Sequence, residues 1–141
     1  MAPLVVEAAA QNPAIDWLGS KSPAEVAALI GDAAFVVVPS RCYEMFPRVL
    51  VEAFAKGTPV LVAGFGAMAT IVEDGRTGLF FRPGDGKDLA RKVQIITSDL
   101  LIQAKMQREA RSEFEKKFTA DANYDVLMEV YDRASTPRTA L

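Results

Sequence analysis

Two glutamates, Glu44 and Glu52, stand eight positions apart around Pro47, a residue that favours the first turn of a helix. An ionised carboxylate only accepts hydrogen bonds, so two of them suit a ligand with neighbouring hydroxyl groups. The unpaired N–H groups and the positive dipole end at a helix start attract phosphate. These residue types could therefore hold a ligand that combines hydroxyl and phosphate groups.

The flanking segments predict where the two carboxylates lie. Apolar runs over residues 35–38 and 59–63 predict two strands, and residues 47–56 predict a helix between them. This order puts Glu44 at the carboxyl end of a strand and Glu52 inside the following helix. In an open α/β sheet, ligands bind at that end of the strands.

Spacing alone also allows a simpler interpretation of the same residues. Arg48, Glu52 and Lys56 follow one another at four-residue intervals and would form one charged stripe on the helix. Exposed pairs of this kind are common and contribute only about a few tenths of a kcal/mol. On spacing by itself we favour this stripe of solvated charges.

The rest of the chain continues the alternation of strands and helices. Further helices are predicted over 4–11, after the capping box Ser22–Glu25, over 68–72, after Asp85, over 100–116 and after Thr119. Further strands are predicted over 14–18 and 79–81. One domain is expected over 1–134, followed by a frayed tail over 135–141. The strand over 35–38 lacks alternation, which predicts burial on both faces. Tyr124 and Tyr131 share one face of the last helix, which predicts packing there. The class is α/β with a mainly parallel sheet.

Composition excludes several classes of function. The chain has 141 residues, half of them hydrophobic, which is enough for one domain with a core. A net charge of −2 argues against a nucleic-acid partner, and the absence of His excludes a self-contained Ser-His-Asp or Cys-His site. The single Cys42 cannot form an internal disulfide, and no apolar run approaches the length of a membrane span. We therefore expect a cytoplasmic protein without a transmembrane segment.

An ordered series of short motifs runs through these elements. It consists of Pro39-Ser40, Glu44-x7-Glu52-Ala53, Gly57-Thr58-Pro59-Val60, Gly66, Ile71-Val72, Asp74-Gly75-x-Thr77-Gly78-Leu79, Pro83-Gly84-Asp85 with Leu89-Ala90, and Phe118-Thr119 with Asn123-Tyr124. With this series the chain resembles the retaining, GT-B-fold glycosyltransferases of family 4, also called group 1 glycosyltransferases. Each motif is weak by itself, whereas the whole series in order is specific.

The resemblance implies the C-terminal, donor-binding part of such an enzyme, a Rossmann-like sheet with flanking helices. It implies a UDP-, GDP- or ADP-linked sugar as donor, with no obligatory metal and no other cofactor. Matched residue by residue, Glu44 contacts the transferred sugar and is the catalytic candidate, and Glu52 binds the nucleotide ribose. The other donor-binding residues are Ser40, then Phe46, Arg48 and Val49, whose amides approach the diphosphate, and Gly66 beside the sugar.

The chain departs from the family pattern at several points. Its match begins after the second strand of the family's domain, so the expected fold is the C-terminal half of a GT-B fold without its first two strands. The basic pair that clamps the diphosphate and the acceptor-binding half are not matched either. Thr70 stands where the family often has Glu, and Ala67 replaces the second glycine of a frequent pair. We therefore expect the chain by itself to be inactive in transfer.

Two alternatives to an enzyme stay open. The first is a non-enzymatic remnant or split subunit that binds a nucleotide sugar or a partner chain. The second is a flavodoxin- or receiver-like domain, which is less well supported because the early acidic cluster or glycine loop of such folds is missing. If the chain is part of a glycosyltransferase, the apolar strand 35–38 lacks the strand that pairs with it in the family. We expect it to pair with a second copy or with a partner that supplies the N-terminal half.

Overall fold

A computed structural model describes residues 2–135 of the chain. Within that range the elements are α1 (Ala2–Gln11), α2 (Pro23–Asp32), β1 (Val36–Val38), α3 (Arg48–Ala55), β2 (Val60–Ala63), α4 (Met68–Ile71), β3 (Gly78–Phe81), α5 (Gly86–Ser98), α6 (Leu100–Lys117) and α7 (Ala120–Ser135). Helices and strands alternate from α2 to α5, as predicted. Ser135 ends α7, and the remainder of the predicted tail, 136–141, lies outside the described residues.

The strands of the described range form one parallel sheet in the order β1-β2-β3. The central strand β2 is buried along its whole length. Gly78 opens β3 opposite Val60, where a Cβ would stand 2.2 Å from the Val60 carbonyl oxygen, so that only glycine fits. The prediction of an α/β fold with a parallel sheet is confirmed.

The core holds α3 against the sheet. Leu50 and Phe54 of α3 have no exposed surface, and each contributes roughly 1.5–3 kcal/mol by burial. Ala110 of α6 and Ile96 of α5 belong to the same cluster of buried side chains. Because α3 connects two parallel strands, its first turn must lie at the carboxyl edge of the sheet. The core thus fixes where the helix start of the predicted site lies.

The prediction of a strand over residues 14–18 is wrong. This segment is neither helix nor strand, and the amide of Ile15 donates to the carbonyl of Asn12 in a turn. Ile15 and Trp17 are 37% and 48% exposed. A strand is held by hydrogen bonds to a neighbouring strand, and the apolar pattern of this segment cannot supply that neighbour.

The prediction that residues 35–38 are buried on both faces is also wrong. β1 lies at the edge of the sheet, and Val37 is 37% exposed. The expected packing of Tyr124 and Tyr131 fails in the same way, because both are more than half exposed and no residue of α7 is buried. An apolar stripe shows that a segment can pack, but a partner surface decides whether it does.

Arg76 connects the turn before β3 to helix α6. Its Nε lies 2.7 Å from Glu73, its Nη1 3.1 Å from Glu109 and its Nη2 2.5 Å from Glu113. Glu113 is buried and also pairs with Lys117. Burial raises the pKa of Glu113, but the hydrogen bonds and charges of Arg76 and Lys117 outweigh that effect, so the pKa lies below its ordinary value. This ion-pair cluster locks the turn onto α6.

Replacing Arg76 with Met should lower the free energy of unfolding by roughly 2–3 kcal/mol near neutral pH, because Glu113 keeps its charge with one partner fewer. Because the pKa of Glu113 is lowered in the folded state, its contribution to the free energy of unfolding is fully present above the ordinary carboxyl pKa of 4.5. This contribution is lost as the pH falls through the pKa of the folded state. Urea unfolding should therefore show a difference between Arg76→Met and wild type that shrinks in acid. Arg133→Met is the control, because it removes only the exposed pair with Glu129. Equal effects of the two substitutions would contradict the assignment.

Candidate functional site

The loops that follow the three strands meet at the carboxyl edge of the sheet. Residues 39–47 form the first loop, after β1, residues 64–67 the second, after β2, and residues 82–85 the third, after β3. The strands are parallel, so all three loops lie at one edge, where ligands of open α/β sheets bind. The predicted residues Ser40, Glu44 and Gly66 are all on these loops.

Tyr43 joins the first loop to the second. Its ring stands edge-on to Phe65, with 5.2 Å between the ring centroids. Gly66 has a φ of +59°, and a Cβ on it would lie 3.0 Å from Cδ1 of Tyr43. Position 66 therefore requires glycine twice, for its left-handed backbone and for the close approach of the tyrosine ring.

The end of the first loop is held by aromatic contacts. The ring centroid of Phe46 lies 6.5 Å from that of Phe118, which in turn lies 6.4 Å from that of Phe54 in the core. Pro47 is buried and precedes α3, and no side chain caps this helix. The amides of Arg48 and Val49 thus open the helix without a side-chain acceptor, an arrangement that suits an anion.

Ser40 and Glu44 differ in how far the fold already uses them. The Ser40 hydroxyl donates to the carbonyl of Cys42 at 3.3 Å and accepts from the amide of Cys42 at 3.4 Å, so it shapes the loop. Glu44 is exposed and forms no hydrogen bond or ion pair with the described residues. Its carboxylate lies in the loop between β1 and α3, as predicted, and keeps its acceptor capacity for a ligand.

Glu52 lines a groove between α2 and α3. The groove encloses about 360 Å³ and is lined by Lys21, Pro23, Val26, Ala27, Arg48 and Glu52. Glu52 Oε1 lies 3.5 Å from Nη2 of Arg48, so the predicted helical stripe exists, but Lys56 takes no part in it. Such an exposed pair is weak and leaves Glu52 free to bind a ligand. Glu44 does not line this groove.

Sequence analysis missed the α2 side of this groove. The capping box of α2 is present as predicted, with the Glu25 amide donating to Ser22 and the Ser22 amide donating to Glu25. It fixes where α2 begins, but no motif indicated that Lys21, Pro23 and Val26 would face Glu52. That contact depends on how α2 packs beside α3.

The third loop is fixed by a buried carboxylate. Asp88 accepts a hydrogen bond from the amide of Arg82 at 2.8 Å and pairs with Arg91. The backbone hydrogen bond from Arg82 is the main cause of its lowered pKa, and the charges of Arg91 and Arg82 add to it against the effect of burial. A cleft of about 220 Å³ separates this loop from Pro39 and Arg41 of the first loop. Asp88 of α5 thus ties the residue that follows β3 to this helix.

Residues 2–135 offer neither a metal-binding cluster nor a membrane-spanning helix. They contain no group of three or more His, Cys, Asp or Glu side chains that could hold a metal ion. In the same part of the chain, no helix combines the length and the apolar character needed to cross a membrane.

Fold and site together define a Rossmann-like α/β domain whose candidate ligand-binding groups lie on the loops after its strands and at the start of α3. The family described as Glycosyl transferases group 1 matches residues 4–113. The chain belongs to this family. The predicted family and its α/β, GT-B-type fold are confirmed, and the flavodoxin- or receiver-like alternative is excluded.

Individual relatives agree with this assignment. The chain is 36% identical over 122 residues to an uncharacterized glycosyltransferase of Methanocaldococcus jannaschii, a match that covers 86% of this chain and 34% of that protein. It is 36% identical over 121 residues to a D-inositol 3-phosphate glycosyltransferase of Gordonia bronchialis, covering 86% of this chain and 26% of the relative. The chain thus spans about a third or less of the length of these curated relatives.

Solved structures share the fold. Sucrose-phosphate synthase from Thermosynechococcus elongatus superimposes with a TM-score of 0.82 at 26% identity, over 94% of this chain and 33% of the synthase. HepE of Anabaena, solved in complex with UDP and glucose, superimposes with a TM-score of 0.74 at 25% identity, over 83% of this chain and 32% of HepE. The three-stranded sheet and its helices are therefore one part of a larger architecture in these neighbours.

Gly66→Ala should lower the free energy of unfolding more than Gly75→Ala does. Both glycines have positive φ, so each alanine carries the backbone cost of about 1–2 kcal/mol. Only at Gly66 would the new Cβ also meet a ring, because nothing lies within 4 Å of a Cβ at Gly75. Thermal unfolding gives the stabilities, and the ring signals of Tyr43 and Phe65 in NMR spectra report the loop contact. Unchanged ring signals in Gly66→Ala would show that the two loops are not coupled through this glycine.

Proposed function

We propose that the chain is the donor-binding part of a glycosyltransferase that moves a sugar from a nucleotide-sugar donor. The observation that carries the proposal is the groove beside Glu52, which adjoins the uncapped start of α3. It combines a carboxylate for hydroxyls, helix amides for phosphate and an apolar wall of Pro23 and Val26 against which a nucleobase could lie. The complexes of the neighbouring HepE with UDP and with UDP-glucose support this choice of ligand.

Each part of the donor would have its own contact. Glu52 would accept hydrogen bonds from the ribose, and Glu44 would accept from the transferred sugar. The amides near Phe46, Arg48 and Val49 would bind the diphosphate and stabilise the negative charge that it gains on departure. Gly66 and Ser40 would shape the loops on either side of the sugar. Lys21, which lines the groove and also pairs with Glu25 at 3.7 Å, would add a positive charge near the nucleotide.

The reaction would retain the configuration of the sugar and need no metal ion. Donor affinity should then be the same with and without a chelator. The anomer formed by a full-length enzyme that carries this chain, read by NMR, tests retention. The proposal includes a cytoplasmic location, supported by the exposed free thiol of Cys42, which a reducing compartment preserves. Recovery of the protein only from a secreted fraction would contradict that location.

A second candidate is a non-enzymatic remnant or split subunit that binds a nucleotide sugar or a partner chain. The exposed edge of β1 favours it, because it offers a second chain a place to pair. Ligand-observed NMR with a panel of UDP-, GDP- and ADP-sugars tests the binding that both candidates share. Transfer activity then separates the two. No binding to any member of the panel would contradict the nucleotide-sugar site itself.

Replacing Glu52 with Gln should weaken nucleotide binding by about 1–3 kcal/mol, because charge-assisted hydrogen bonds to the ribose are lost. Calorimetry gives the dissociation constant, and urea unfolding should show little change in stability. Glu129→Gln is a matched control, because Glu129 forms an exposed ion pair at 3.5 Å with Arg133, four residues away, as Glu52 does with Arg48. If both variants bind with wild-type affinity, Glu52 is only a member of the charged stripe.

Glu44→Ala, in a full-length enzyme that carries this chain, should lower kcat more than it raises KM. The contact of Glu44 with the transferred sugar should strengthen as positive charge develops at the anomeric carbon, so its loss falls mainly on the transition state. Steady-state kinetics with varied donor measure both constants. An unchanged kcat with a raised KM would make Glu44 a ground-state contact and not a catalytic one.

By itself the chain should self-associate through the edge of β1 and lack acceptor-dependent transfer. Val37 on that edge is 37% exposed, and a neighbouring strand pairs with β1 on one side only. Sedimentation should show Val37→Lys shifted toward monomer, because a charged edge opposes strand pairing. Val130→Lys on α7, where Val130 is 57% exposed, is the control. A monomeric wild type would contradict the association, and sugar transfer by the purified chain would contradict the inactivity.

A further inference from the structure

A second cleft lies at the opposite end of the sheet from the candidate donor site. It encloses about 480 Å³ between α6 and the turn that joins α3 to β2. Its main lining residues are Lys56, Gly57, Arg108, Arg111, Ser112 and Glu115. Gly57 precedes β2, whereas the loop of Gly66 follows it, so the length of this strand, about 13 Å, separates the cleft from that loop. Glu52, in the groove between α2 and α3, lies one helical turn before Lys56.

Helix α6 places its charges on two different faces. Glu109 and Glu113 turn toward Arg76, and both pair with it. Arg108 and Arg111 lie on the other face and line the cleft. The segregation follows from the helical period, because positions one and two residues apart do not face the same way. The cleft therefore has a positive lining, although the whole chain carries a net charge of −2.

Not all cations of the cleft are committed to structural contacts. Arg111 donates to the carbonyl of Ala55 at the end of α3 and pairs with Glu115 at 2.8 Å. Lys56 and Arg108, in contrast, form no ion pair with any residue of the described range. The Ser112 hydroxyl has no hydrogen-bond partner there either.

The cleft is also shaped by close backbone approach. Gly57 has a φ of +71°, and a Cβ on it would lie 3.4 Å from the carbonyl oxygen of Gln107 on α6. The stem of Lys56 runs past Gly31, with its Cδ 3.6 Å from the Cβ that this glycine would carry. Lys56 itself is exposed, so its ammonium group is accessible to an anion in the cleft.

We propose that this cleft binds a small phosphate-bearing anion, independently of the donor site. Lys56 and Arg108 would supply the charge, the Ser112 hydroxyl would donate a hydrogen bond, and Arg111 would extend the positive wall. Charge-assisted hydrogen bonds of this kind are the strong ones in phosphate recognition. Glu115 opposes the anion, but it is already paired with Arg111. The rival explanation is that the cations only offset the negative end of α3.

Titration of the isotope-labelled chain with inorganic phosphate and with pyrophosphate, at constant ionic strength, tests the proposal. Saturable amide shifts are expected at Gly57, Thr58 and Ser112. The double variant Lys56→Gln/Arg108→Gln should weaken the affinity at these amides about tenfold or more. Lys87→Gln/Lys92→Gln on α5 removes the same charge elsewhere and should leave that affinity unchanged.

The remaining outcomes overturn the proposal. Shifts confined to Arg48 and Val49 would mean that the anion binds only at the donor site. Equal affinities of the two double variants would mean that net charge, and not the cleft, attracts the anion. Shifts that do not saturate would leave the cations as partners of the α3 carbonyl end. Unfolding curves of both variants establish that each is folded.

Discussion

The parallel pairing of β2 with a strand on each side is the constraint on which the rest of the structure depends. It is possible only because Gly78 lets β3 approach the backbone of β2 closely, where any Cβ would collide with the Val60 carbonyl. It brings the carboxyl ends of all three strands to one edge. The loops that carry Glu44, Gly66 and Arg82 therefore lie at the same edge, together with the start of α3.

The loops at this edge are held in place by side chains that are not candidates for ligand contact. Asp88 holds the third loop through the Arg82 amide, Tyr43 holds the first loop to the second, and Phe118 anchors Phe46 to the core. The groups proposed to meet a ligand are by contrast lightly used by the fold. Glu44 has no partner in the described range and Glu52 has only a weak one. Rigid support with unused acceptors is what a preorganised binding site requires.

The charged side chains also divide into those that the fold uses and those that it leaves unpaired. Where carboxylates are buried, as at Glu113 and Asp88, arginines neutralise them and tie a turn or loop to a helix. Where cations line open space, as at Lys56 and Arg108, the fold leaves them unpaired within the described residues. Burying an unpaired charge is costly, so paired charges are found inside and unpaired ones at the surface. The cleft beside α6, with its unpaired Lys56 and Arg108, differs from the core in this respect.

The sequence by itself determined the order and type of the elements from α2 to α7, because proline, glycine and capping residues act locally. The capping box of α2, the start of α3 after Pro47 and the Asp85 cap of α5 all lie where their residues predicted. The motif series was enough for the family and for the placement of Glu44 and Glu52 on a loop and a helix. These features depend on residues close in the chain, whose contacts a local pattern can express.

Only the tertiary structure decided which surfaces meet. Residues 14–18 have an apolar pattern but no strand beside them, and Tyr124 and Tyr131 have helical spacing but no buried contact. The wall of Pro23 and Val26 beside Glu52, and the positively lined cleft beside α6, arise between elements far apart in sequence. A hydrogen bond or an apolar contact needs two partner surfaces, and the residue pattern of one segment specifies only the surface of that segment.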